Sequence, residues 1–199
     1  MAAAPVRPPA TRRPARARLL EAAARLFYAD GVAATGIDSI TAAAGVAKKS
    51  LYNNFASKAD LVAAYLAARH EEWLALYRGR AAAADTPKGR VLAVFDAYID
   101  HANFAYERGF RGCGLLNAAA ELPAGAPGRQ AVRQHKEEVE ALLHRHVAEL
   151  LPQQDELAAG TARHLAFLLE GSMARAGLEG GDRCLHEARM IAAHMLGQL

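Results

Sequence analysis

The sequence predicts an all-α protein. Ala, Leu, Glu and Arg dominate a chain that is 52% apolar, and these are strong helix formers. Runs of alternating β-branched residues, the mark of strands, do not occur. Apolar residues recur instead at helical spacing, in segments punctuated by Gly and Pro. With 199 residues the chain suffices for one sizeable core or two small ones.

Residues 1–14 contain Pro5, Pro8, Pro9 and Pro14, which remove donors and block helix, so a disordered basic arm is expected. Arg7, Arg12 and Arg13, with Arg16 and Arg18 just beyond, suit an arm reaching a DNA minor groove. A solvated leader without a partner fits the same residues. The first helix is predicted over 15–29, with Leu19, Leu20, Ala23, Leu26 and Phe27 as its apolar stripe and Gly31 ending it. Thr35 stands where its hydroxyl can cap the next helix, whose free amides suit a phosphate.

Two short helices follow, over 37–44 and 47–54. Ile37, Ile40, Thr41 and Ala44 share a face of the first, and Gly45 supplies the tight turn. Leu51 and Phe55 mark the inner face of the second. Its outer face holds Lys48, Lys49, Ser50, Tyr52 and Asn53, with no carboxylate. Such a face suits phosphate oxygens and major-groove base edges, although the Tyr52 ring also suits partial core packing. Ser57 is a good N-cap and Asp60 favours the positive helix end of a long helix reaching about residue 84. This rod links the N-terminal head to the rest.

Asp85-Thr86-Pro87 marks a break, with Pro87 suited to a first helical turn. Helices are predicted over 88–107, 115–122 and 129–151, around the loops 109–114 and 123–128. Pro152 breaks the chain again, and two last helices are expected over 155–176 and 183–197. That makes about nine helices, grouped as an arm at 1–14, a head at 15–60 and a helical body at 61–199.

Residues 16–66 resemble the DNA-binding domain of the TetR family of bacterial transcriptional regulators. The matching features are ARLLEAAARLFYADGV, the pair Ala34-Thr35 before IDSI, the turn AGVAK, the stretch SLYNNF and the opening SKADL. RGCGLLNAAAE is similar to a segment of one subgroup of that family, with Gly114 where a proline is common. The resemblance implies a DNA-binding unit at 15–60, a helical effector-binding and dimerisation unit at 61–199, a homodimer on a palindromic operator and a small-molecule effector. It assigns DNA contacts to Thr35, Lys48, Lys49, Tyr52, Asn53 and Lys58. Gly36 replaces a usual Ser or Thr, and Asn54 a usual His or Tyr, so neither usual contact is carried over.

Charge agrees with this. Residues 1–60 hold nine Lys/Arg and four Asp/Glu, a net of +5, against fifteen and seventeen, a net of −2, in 61–199. Cys113 and Cys184 form no CxxC pattern, and no transmembrane-length or signal-like stretch is present, so a cytoplasmic protein with reduced thiols is expected. GxSxG, Walker, GxGxxG and HExxH motifs do not occur, so neither an enzyme nor a metal or cofactor site is expected. Cys113, with Arg108 and Arg111 near it, suits a polarised thiol or, more simply, a small packing residue.

Trp73, Tyr77, Phe95, Tyr98 and Phe104, with His101, Asn117 and Glu121 as polar groups, are the candidate effector-pocket residues. Leu165, Leu168, Leu169, Met173, Ala188, Ile191 and Met195 are the candidate dimer contacts, as two such helix pairs make a four-helix bundle. Two further classes compete with a regulator. One is a sequence-indifferent architectural DNA binder without an effector; the other is an enzyme built on the Cys113 loop.

Overall fold

The structure, a computed structural model, describes residues 14–104 and 106–199. The expected arm with Arg7, Arg12 and Arg13 lies outside them. Among the described residues the elements are α1 (Ala15–Asp30), α2 (Ile37–Ala44), α3 (Lys48–Tyr52), α4 (Lys58–Ala82), α5 (Pro87–Ala102), α6 (Gly114–Ala120), α7 (Pro127–Leu150), α8 (Asp155–Glu179) and α9 (Arg183–Met195), with no strand. The all-α expectation holds.

In the head, α1 buries Leu19, Ala23 and Phe27, while Leu20 and Leu26 of the predicted stripe are only partly covered. Thr35 does not cap α2. Its hydroxyl donates to the Gly31 carbonyl at 2.6 Å and, more weakly, to that of Leu26 at 3.3 Å, and it is 3% exposed. A helix end leaves carbonyls without partners, and the chain reversing at Gly31 brings this hydroxyl to them. The residue before α2 is Gly36, which offers no side-chain cap.

Gly45 turns the chain from α2 to α3 in the left-handed region, at φ 60° and ψ 43°, where a Cβ is strained. Arg18, expected to extend the arm, instead donates to the Ala44 and Gly45 carbonyls and braces this turn. Helix α3 is shorter than the predicted 47–54: the chain turns at Asn53 and Asn54, and the Asn54 amide donates back to the Ser50 carbonyl at 2.7 Å. Leu51 and Phe55 are buried as their spacing requires.

Helix α4 opens with reciprocal capping. The Ser57 hydroxyl accepts from the Asp60 amide at 3.1 Å, and the Asp60 carboxylate accepts from the Ala56 amide at 3.0 Å. Its first half faces α1, where Tyr65 meets Phe27 edge-on with centroids 5.5 Å apart. Its second half packs Trp73 against Tyr77, Tyr98 and His135. One rod therefore enters the cores of both head and body.

Thr86 caps α5 by accepting from the Gly89 amide at 3.0 Å, with Pro87 in the first turn. The helix ends at Ala102 rather than near 107. The Asn103 amide folds back onto the Ile99 carbonyl and also reaches Asp182, both at 2.9 Å, so Asn103 stops the helix. Beyond it Gly112 lies against α8 so closely that a Cβ on Gly177 would come 2.8 Å from the Gly112 Cα. Helix α8 runs to Glu179, three residues past the expected end, and is closed by Gly180 in the left-handed region.

Candidate nucleic-acid interface

Helix α3 presents Lys48, Lys49, Tyr52 and Asn53 to solvent, with Ser50 half-buried at the edge. Tyr52 is 52% exposed, so its ring is not core. The opposite face, Leu51 with Phe55, is sealed, which fixes the rotation of the helix and hence what it displays. The expectation of a face without carboxylates needs one correction. Asp38, at the start of α2, reaches across to Lys48 with Oδ1 2.9 Å from Nζ. The hydrogen bond and charge of Asp38 raise the Lys48 pKa above the usual lysine value. Lys58 is half-buried, and its Nζ points back to the Ala33 carbonyl at 3.4 Å, between α1 and α2. Thr35 is buried and spends its hydroxyl proton within the head, so it offers no free hydroxyl to a phosphate.

The candidate effector residues do not converge. Trp73, Tyr98 and His101 line a small cavity of about 20 Å³ together with Arg69, Cys113 and His135. Tyr77 lies outside it, its hydroxyl 2.7 Å from His146 Nε2, and Phe95 is ordinary core at 1% exposure. Phe104 faces a separate cleft beside α1. Asn117 donates to the Arg111 carbonyl at 2.9 Å, and Glu121 accepts from the Ala33 amide at 2.6 Å. The last two therefore tie α6 to the preceding loop and to the head, a use that helical spacing does not announce.

Around the small cavity burial disfavours charge. His135 is pushed down to about 3, first by burial and then by the charges of Lys136, His70 and His101. Its Nδ1 lies 3.0 Å from that of His70. Burial raises the Tyr98 phenol. Cys113 and Cys184 are both free thiols, Cys113 buried. Among the described residues no group of three or more His, Cys, Asp or Glu side chains is placed to hold a metal ion, and no helix is long and apolar enough to cross a membrane.

Of the candidate dimer contacts, Leu165, Leu169, Met173 and Ala188 sit inside the protomer, at 0, 0, 1 and 2% exposure. They are core because α8 and α9 must first cover the body with one face. Leu168 and Met195 are half-covered and Ile191 is 49% exposed. The outer faces add Phe167 and Met190, at 66% and 64% exposure, which periodicity alone did not separate from the inner faces.

A short helix, a glycine turn and a second short helix displaying cations over a sealed apolar face define a helix-turn-helix DNA-binding protein. The description "Bacterial regulatory proteins, tetR family" matches residues 19–65. A TetR-family transcriptional regulator from Streptomyces coelicolor superposes with a TM-score of 0.81 and 33% identity, covering 92% of this chain and 93% of that one. A TetR transcriptional regulator from Chloroflexus aurantiacus gives 0.79 and 26%, covering 92% and 94%. The chain belongs to the TetR family of transcriptional regulators. The HTH-type transcriptional regulator TtgR of Pseudomonas putida is 46% identical over 56 residues, which is 28% of this chain and only 27% of TtgR. That match thus spans about a quarter of the relative's length.

Proposed function

We propose that the protein is a sequence-specific transcriptional regulator that binds a palindromic operator as a homodimer and represses until a small-molecule effector releases it. The observation that carries this reading is the display of Lys48, Lys49, Tyr52 and Asn53 on α3 while Leu51 and Phe55 anchor the same helix. Anchoring fixes the face, and the face offers cations for phosphates and an amide and phenol for base edges. Head and body share α4, so a change in the body has a rigid route to α3.

One helix of five residues reads few bases, and a two-fold pair doubles the contacts on a palindrome. The outer faces of α8 and α9, with Phe167, Leu168 and Ile191 beside Gly171, are the surface for that pairing. The protein acts in the cytoplasm and performs no catalysis in this reading.

Selection of random duplex DNA by the purified protein tests it. Two inverted half-sites about one helical turn apart, roughly 34–36 Å, are expected. Recovery of unselected sequence would replace this reading by the architectural one.

A further inference from the structure

Asp38 lies in the first turn of α2 and Lys48 is the first residue of α3. Their side chains join the two helix starts, Oδ1 to Nζ, at 2.9 Å, and both are exposed. Lys48 and Tyr52 stand four apart on α3, so the pair lies on the same side of the helix as that exposed ring. In a helix-turn-helix the first residues of the second helix are the ones that reach base edges. A carboxylate placed there is repelled by phosphates at every sequence. A base amino group, cytosine N4 or adenine N6, is what makes its contact attractive.

The spacing of the pair matches that of a base pair. Guanine O6 and cytosine N4 are hydrogen-bonded to each other and so lie about 2.9 Å apart. An ammonium on O6 and a carboxylate on N4 therefore keep their own contact, and the four atoms close a ring of donors and acceptors. Guanine N7 gives the ammonium a second acceptor. The reversed pair, C·G, sets the ammonium against an amino group and the carboxylate against O6, and both contacts repel. A T·A pair repeats the central acceptor and donor as O4 and N6. It also places the thymine methyl beside the ammonium and adenine N7 beside the carboxylate. The order is thus G·C first, T·A second, and the two reversed pairs last. A lysine on its flexible stem follows guanine to either strand. The carboxylate decides the strand.

Resting on the regulator reading above, we propose that Asp38 and Lys48 together read one G·C base pair in each operator half-site, Lys48 on the guanine and Asp38 on the cytosine. Lys48 supplies affinity and Asp38 supplies specificity. An exposed ion pair of this kind adds little to the stability of the fold. Its effect is to hold both side chains in place before DNA arrives, so less side-chain freedom is lost on contact.

The test selects random duplex DNA with the full-length parent, with Asp38→Ala, and with a double variant, Asp38→Lys with Lys48→Asp, whose net charge equals the parent's. Alanine is used because the amide oxygen of asparagine still accepts from N4. Circular dichroism checks the helical content of each protein. Fluorescence anisotropy then compares the selected duplex with its single-pair variants. The parent is expected to favour G·C over C·G about tenfold or more at one base pair of each half-site. Asp38→Ala should lower that ratio to about threefold or less, by binding the C·G duplex more tightly once no carboxylate meets O6. The double variant should favour C·G there and keep the parent's preferences elsewhere. A palindrome read alike at every position by parent and variants overturns the pair. So does a uniform loss over all duplexes in Asp38→Ala, the mark of a carboxylate that only positions Lys48 or steadies the start of α2. If the double variant loses its helical content, the ratio in Asp38→Ala decides. Recovery of unselected sequence by the parent would instead sink the regulator reading on which the pair rests.

Discussion

Arg111 and Tyr28 hold each other twice: the Arg111 amide donates to the Tyr28 hydroxyl at 2.6 Å, and its guanidinium donates to the Tyr28 carbonyl at 2.7 Å. The same guanidinium reaches the Ala29 carbonyl at 2.7 Å, and the Tyr28 hydroxyl donates to the Gly112 carbonyl at 3.1 Å. A cation thus sits on the carbonyl end of α1, where the helix dipole favours it. The loop before α6 is clamped to the head by these bonds, with the Glu121 bond to Ala33 a second fastening further along.

Arg111→Ala removes the guanidinium and leaves α1 carbonyls to water. Because the side chain is largely exposed, the expected loss is modest, about 1 kcal/mol. Urea unfolding followed by circular dichroism measures it. An unchanged midpoint would show that the clamp contributes nothing to stability.

On the face proposed to meet DNA, Asp38 and Lys49 should act in opposite directions. Lys49→Ala deletes a cation that the sealed inner face of α3 directs outward, and it should weaken operator binding and flatten the salt dependence by about one unit of log–log slope. Asp38→Asn removes the carboxylate that reaches this face, freeing Lys48 from its 2.9 Å ion pair. Tighter binding, by several fold, is expected in fluorescence anisotropy at moderate salt. Weaker binding in Asp38→Asn would mean that the carboxylate serves to position Lys48.

The head was legible in the sequence because its elements are punctuated locally. Gly45 makes the turn, Ser57 caps α4, and Leu51 with Phe55 sets the inner face. Thr35 misled because a hydroxyl before a helix caps forward or bonds backward equally well in sequence. Only the reversal at Gly31 decides between the two. Asp38 and Arg18 act across the fold, on Lys48 and on the α2–α3 turn, and no spacing reports such pairings. In the body, helices were legible but faces were not. Leu165 and Phe167 are both apolar residues of α8, two apart, and one lies in the core while the other faces solvent. Asn103 ends α5 with an amide that also needs Asp182 from far along the chain.

The buried His135 should make stability depend on pH. Its pKa of about 3 in the folded state lies below the value near 6.5 of an unfolded chain. Unfolding in acid therefore takes up a proton. The stabilisation from keeping His135 neutral is fully present above pH 6.5 and is lost as pH falls from there toward 3. The slope is about 1.4 kcal/mol per pH unit, which gives roughly 2 kcal/mol between pH 7.5 and 5.0. Urea unfolding at the two pH values should show that difference, and His135→Leu should reduce it. Equal pH dependence in both proteins would place the titration on other groups.

Substitution separates the proposed pairing surface from the core. Leu165 is wholly buried against its own protomer, so Leu165→Ala should destabilise the fold by about 2–5 kcal/mol whatever the oligomeric state. Phe167 and Ile191 project outward, at 66% and 49% exposure, and charges there cost a free protomer little. In a dimer joined by these faces, Phe167→Asp with Ile191→Asp buries like, unpaired charges at the contact and should yield monomers that keep their helical content. Light scattering after size exclusion reads the mass. Operator binding should fall together with it, because one head retains only half of the contacts. A monomeric parent protein, or a dimer that survives both substitutions, would move the pairing surface off α8 and α9.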